Sequence, residues 1–181
     1  MRIILVLAAL LLINPVQAVP MHSVDESAQS ISDRSFLAKI GDVSEKVEAR
    51  ASELVVNAMT FLGVRYKRGG TSSDTGFDCS GFVRTIYEQT AGLILPRSAN
   101  QQAAASEKID REDLQPGDLV FFNTMRRAFS HVGIYVGEGN FIHAPKPGAS
   151  VRVENLSVAY WARRFDGARR VRVEPAATTT P

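Results

Sequence analysis

Cysteine is almost absent from this chain: Cys79 is the only one in 181 residues. A lone thiol cannot staple its own chain, so no internal disulfide framework is expected. Long apolar runs are also scarce. Ile3 to Ile13 is too short to span a bilayer, and no later segment is apolar enough to cross one. Neither sign of charge dominates, with 21 Lys and Arg against 19 Asp and Glu. Arg2 is the sole charge of residues 1–18, so without them the balance is 21 less 1, or 20, against 19. Such near-neutrality gives no reason to expect nucleic acid or a membrane surface as a partner. No internal repeat and no second module is visible.

The first residues carry their own signal. Arg2, the apolar run and Val16-Gln17-Ala18, with small residues at the cleavage positions, read as a signal peptide over 1–18. The product is then periplasmic or secreted. No cysteine follows the cleavage position, so a lipid anchor is not expected. Residues 19–44 are polar, rich in Ser and Asp, and read as a flexible leader. The segment 174–181, ending Thr-Thr-Thr-Pro, reads as a disordered tail. One domain with its own core is expected over 45–173.

Within it, Val47, Ala51, Leu54, Val55, Ala58, Met59 and Leu62 recur at helical spacing, and Gly63 suits the cap. A Gly-rich loop, Lys67 to Gly76, precedes a second helix from Cys79 to about Thr90, which Gly92 ends. Ser98 caps a third, short helix running to about Ala105. Beyond Pro116-Gly117 the pattern changes to strands. Leu119 to Phe122 is a continuous apolar run, while His131 to Val136 and Asn140 to Ala144 alternate around Gly137-Glu138-Gly139. Residues 151–153 and 169–173 read as two more strands, with a short helix near Ser157 to Phe165 between them. Helices followed by an antiparallel sheet define an α+β layout.

Cys79 lies in Phe77-Asp78-Cys79-Ser80-Gly81, with Asp78 as a natural N-cap. In a first helical turn the unpaired amides and the helix dipole favour a thiolate, the nucleophilic form. It needs a base. Of three histidines, His22 lies in the leader, while His131 and His143 lie on the proposed hairpin. If Gly137-Glu138-Gly139 is a three-residue loop, Val136 pairs with Asn140 and Gly133 faces His143. Both imidazoles then project from one face as diagonal neighbours, about 7–8 Å apart. A two- or four-residue loop would put them on opposite faces. With one face shared, Cys79 attacks an acyl carbon, His131 moves the proton, and His143 orients His131.

These segments together resemble the NlpC-type cell-wall cysteine peptidases of the papain-like superfamily. The matching runs are Gly63-Val64-Arg65-Tyr66-Lys67-Arg68-Gly69-Gly70, Phe77 to Val83, Leu95-Pro96-Arg97-Ser98, Leu114 to Phe122, Ser130 to Gly137, and Phe141-Ile142-His143-Ala144. The resemblance implies a papain-like fold with helices packed on an antiparallel sheet. It implies Cys79, His131 and His143 as the catalytic set, and hydrolysis of amide bonds in peptidoglycan stem peptides without a cofactor or metal. Tyr66 matches a tyrosine beside the nucleophile. Asp78 and Ser80 match positions that line the substrate groove in some members. The pattern is most similar to single-domain periplasmic murein endopeptidases. Both the D-Ala–diaminopimelate cross-link and the γ-D-Glu–diaminopimelate bond are candidate targets.

Three other readings use the same residues. Cys79, His131 and His143 supply three zinc ligands, but no second cysteine or close ligand pair completes a site. A non-catalytic wall-binding module would not need the intact set. Acyl transfer shares the thioester with hydrolysis and differs only in the acceptor. Arg97, Arg126 and Arg127 are expected to be solvated, and Phe121, Phe122 and Trp161 to be core.

Overall fold

The computed structural model describes residues 41–42, 45–46 and 48–172. The expected signal peptide, the leader up to residue 40 and the tail lie outside them. Residues 41–42 and 45–46 are helical, and helix α1 runs over 48–60. It buries Leu54 and Ala58, which share its apolar stripe. Among the described residues no helix is long and apolar enough to cross a membrane.

The Gly-rich loop holds two short strands, β1 (Thr71–Ser72) and β2 (Gly76–Phe77), paired antiparallel. Helix α2 (Cys79–Ala91) follows directly. Asp78 caps it by accepting the Gly81 N–H at 2.7 Å, and Gly92 ends it in the left-handed region at φ 68°. Its buried stripe is Phe82, Val83, Ile86 and Tyr87. Helix α3 (Ala99–Ala104) starts with a capping box between Ser98 and Gln101. The remaining elements are β3 (Glu107–Ile109), a 3-10 turn (Arg111–Asp113), β4 (Leu119–Phe122), β5 (His131–Gly137), β6 (Asn140–His143), β7 (Arg152–Asn155), α4 (Ala159–Ala162) and β8 (Phe165–Arg170).

Strands β3 to β8 form one antiparallel sheet in the order β3-β8-β4-β5-β6-β7. Alternation divides its side chains between two apolar layers. Leu119, Phe121, Val132, Ile134 and Ile142 pack with Phe82, Val83 and Ile86 of α2. Val120, Phe122 and Phe141 pack with Leu156 and Trp161 on the other side. Strand β4 is covered on both faces, which explains why Leu-Val-Phe-Phe does not alternate. The turn before it is fastened by Arg170, whose guanidinium grips both Asp118 oxygens at 2.8 and 2.7 Å.

The β5–β6 hairpin reaches the expected register by an unexpected route. Its turn is two residues, Glu138 (φ 52°) and Gly139 (φ 75°), closed by the pair Gly137–Asn140. Such a turn alone would shift the register by one residue. A bulge between Tyr135 and Gly137 absorbs one residue, and the strands continue as Tyr135–Phe141 and Ile134–Ile142. Gly133 therefore stands beside His143, and His131 and His143 share a face.

Gly133 is required by crowding. A Cβ there would stand 2.8 Å from Phe141 Cδ2, 3.0 Å from the Ile142 carbonyl oxygen and 3.2 Å from His143 Cβ. Gly133→Ala is expected to destabilise the fold by about 1–3 kcal/mol and to displace the His143 ring. Urea midpoints measure the first effect, and histidine NMR shifts the second. An unchanged midpoint and unchanged shifts would show that the hairpin yields freely.

Candidate active site

The start of α2 is held by a dense polar clamp. Asp78 Oδ2 accepts the Gly69 N–H at 2.9 Å and the Arg97 guanidinium at 2.6 Å; Oδ1 accepts the Gly81 N–H and Arg97 at 3.0 Å. Arg97 also donates to Ser80 Oγ at 3.1 Å, and that hydroxyl lies 3.4 Å from Asp78 Oδ1. The loop and the helix touch backbone to backbone: a Cβ on Gly81 would fall 2.1 Å from the Gly70 carbonyl oxygen. Arg97, expected to be solvated, is thus half-buried and bound to the nucleophile's own turn.

Cys79 occupies the first position of α2 and is partly exposed. The amides of Val132, Ser80 and Cys79 itself bias its sulfur toward the thiolate. Burial, first, and the Asp78 carboxylate, second, outweigh them and push the thiol up to about 11. The expected resting thiolate is therefore corrected to a neutral thiol. A helix start favours the anion, but desolvation beside a carboxylate disfavours it more. Tyr66 stands close by, its hydroxyl pushed up by burial and then by the charges of Cys79 and Asp78.

The histidines lie on the sheet face opposite α2. The Val132 amide brings the thiol to the beginning of β5, where His131 is the first residue. His131 Nε2 and His143 Nδ1 are 2.7 Å apart, and both rings are buried. On the far side, His143 Nε2 faces Glu154 Oε2 at 3.3 Å, off the ideal hydrogen-bond line, and among the described residues neither atom has another hydrogen-bond partner. Arg152 holds the other Glu154 oxygen at 2.6 Å. Trp161 roofs the pair, stacked on His131 with centroids 5.6 Å apart and edge-on to His143 at 5.0 Å.

This enclosure sets the protonation. Burial, then the neighbouring His143, lowers His131 to about 3, while Glu154 pulls the other way. His143 is also lowered, mainly by burial. Glu154 is brought down to about 2, chiefly by its contact with His143. The pair is neutral at rest.

Between about 3 and the ordinary 6.5 the unfolded chain binds the His131 proton and the folded chain does not. The stabilisation is complete above pH 6.5 and is lost as pH falls toward 3. The expected loss is on the order of 2 kcal/mol by pH 4.5. Urea titrations at pH 7 and 4.5 check it, and equal midpoints would contradict the neutral pair.

Tyr66, Asp78, Cys79, Ser80 and His131 all line one open groove. His143 backs it from beneath. The groove is cationic: Arg68, Arg97, Arg127, Lys146 and Arg152 line it with only Asp78 and Glu154 of opposite sign. Both acids are already paired, to Arg97 and Arg152. Among the described residues no group of three or more His, Cys, Asp or Glu is arranged to hold a metal ion.

Sequence reasoning missed Glu154 and the roofing role of Trp161. Glu154 comes from β7, whose Arg-Val-Glu-Asn bears no motif. Its place emerges only from the pairing of Phe141 with Glu154 and His143 with Arg152.

A thiol at a helix start, beside a strand whose first residue is one of two linked imidazoles, is the arrangement of the papain-like fold. Residues 63–170 match the NlpC/P60 family, and the chain belongs to it. It is 40% identical over 136 residues to the murein DD-endopeptidase MepH of Escherichia coli, covering 73% of this chain and 50% of that protein. It is 43% identical over 118 residues to a gamma-DL-glutamyl hydrolase of Bacillus subtilis, covering 65% of this chain and 28% of that one. Among solved structures, an NlpC/P60 family protein from Bacillus cereus superposes with a TM-score of 0.62 at 40% identity, covering 66% of this chain and 39% of that one. The NlpC/p60 domain of the peptidoglycan hydrolase SagA gives 0.60 at 35% identity, covering 67% of this chain and 98% of that one. The chain spans half or less of these two curated relatives.

Proposed function

We propose that this protein is a periplasmic or secreted peptidoglycan endopeptidase that hydrolyses stem-peptide amide bonds through a Cys79 thioester. The observation that carries the reading is the histidine pair joined at 2.7 Å behind the groove that Cys79 lines. His131 Nδ1 is the ring nitrogen left over from that bond, and it is the one that takes the thiol proton. Because thiol and imidazole are both neutral at rest, proton transfer accompanies attack on the carbonyl. The amides of Cys79 and Ser80, which already approach the sulfur, are donors for the developing oxyanion. His131 then protonates the leaving amine, and water resolves the thioester by the reverse path.

The groove's charge supports a carboxylate-rich substrate. With Arg97 and Arg152 paired, Arg68, Arg127 and Lys146 remain to meet acidic groups. Stem peptides containing D-glutamate and diaminopimelate carry several. Asp78 is a weak candidate for selecting a free amine, since its oxygens already receive two amides and a bidentate guanidinium. A substrate with its amines already acylated, such as a D-Ala–diaminopimelate cross-link, fits this groove better than one presenting a free amine. The relatives named as murein endopeptidases point the same way.

Digestion of purified cross-linked and uncross-linked muropeptides, with mass analysis of the products, tests the reading. Conversion of dimers to monomers is the expected result. Release only of fragments cut after γ-D-Glu would move the assignment to the other bond, and intact muropeptides would overturn the proposal.

A further inference from the structure

Two neutral imidazoles joined through Nε2 of one and Nδ1 of the other share a single proton between them. Two arrangements exist. In one, His131 Nε2–H donates to His143, and His131 Nδ1 is bare. In the other, His143 Nδ1–H donates to His131. The one proton of neutral His131 must then sit on Nδ1, which cannot accept another from Cys79. The 2.7 Å contact does not choose between them.

The third ring contact does. His143 Nε2 is buried and, among the described residues, faces only Glu154 Oε2. A carboxylate accepts and does not donate, so it favours a proton on His143 Nε2. That empties His143 Nδ1, which then accepts from His131 Nε2–H, and the bare nitrogen of His131 is Nδ1. Arg152 fixes the other Glu154 oxygen. Trp161 stacks on His131 and stands edge-on to His143, so neither ring is free to flip and undo the pattern.

We infer that Glu154 is a positioning residue that sets the tautomers of both histidines and thereby makes His131 Nδ1 the base. It acts through His143 and does not touch the reacting atoms. This rests on the proposed roles of Cys79 and His131, but the tautomers themselves are measurable without any substrate.

The test has two arms. In wild-type free protein, nitrogen-15 NMR of the assigned histidines should show both His131 and His143 protonated at Nε2 and bare at Nδ1. Glu154→Gln keeps the shape but presents either an oxygen or an amide N–H to His143. It should move His143 and His131 toward their Nδ1–H forms. On a cross-linked muropeptide it should lower kcat about 10- to 100-fold with KM unchanged. A wild-type His131 protonated at Nδ1 overturns the inference even if the variant does not fold. A folded Glu154→Gln with wild-type tautomers, wild-type kcat, or a change in KM alone overturns it too. Wild-type protein inactive on every muropeptide would sink the proposed function instead, leaving the tautomer measurement to decide this one.

Discussion

Cys79→Ala should abolish muropeptide hydrolysis, with kcat/KM falling by at least about 10⁴-fold, while the fold survives. No second thiol is available to replace it: Cys79 is the sole cysteine, and the neighbouring Ser80 is buried with its hydroxyl engaged by Arg97. The clamp that shapes the helix start uses the Asp78 carboxylate and the Gly81 amide, not the thiol. The stability change should therefore stay near 1 kcal/mol or below. Removing a half-buried thiol also removes the group that burial raises to about 11, so alkaline stability should improve. Below pH 9 the thiol costs nothing. Between 9 and 11 the unfolded chain releases its proton and the folded chain does not, which destabilises wild type as pH rises. Residual hydrolysis in the purified variant, or an unaltered alkaline limb, would contradict the respective half.

Trp161→Ala should produce the largest loss of stability of any single change at the site, about 3–5 kcal/mol. The indole is 6% exposed and touches Phe122, Phe141, His131 and His143 with ring centroids at 4.7 to 5.6 Å. The same change admits water to the imidazoles. Burial is the main cause of their low proton affinity, so rehydration should raise it toward the ordinary value. A raised affinity means protonation at a higher pH, and the acid limb of activity should move upward. Trp161→Phe should recover part of both effects. Stability by urea and a pH profile from 4 to 8 measure them. A loss below 1 kcal/mol, or an acid limb that stays in place, would show that Trp161 is only peripheral to the pair.

The local signals were legible where one residue sets one bond. Asp78, Gly92 and Ser98 each cap a helix as their chemistry requires, and β4 is the buried run that its apolar residues describe. Strand β8 runs over Phe165–Arg170 in place of the expected 169–173, because its span is set by pairing with β4 and β3, while Asp166 and Gly167 interrupt any apolar pattern. Strands β1, β2 and β3 are two or three residues long and exist through their partners, so no periodicity announces them. The site divides the same way. Cys79, His131 and His143 stand out as rare residue types in motifs. Glu154 is one of many carboxylates and acquires its place only when β7 pairs with β6. The pull of a helix start on the Cys79 thiol is a local feature, whereas the desolvation that raises it depends on every element that packs over it.

The bulge in the β5–β6 hairpin bears on how related chains can differ. Side chains alternate with every residue, so the count between His131 and His143 decides which side of the sheet each imidazole occupies. Variation in the length of this hairpin is therefore filtered by parity. Insertions of two residues preserve the pair, whereas a single insertion or deletion separates it unless the bulge appears or disappears to compensate. Two turns of different length can thus carry the same catalytic face, and sequence alignment across this hairpin should place its gaps at residues 136–139 and not in the strands beside them.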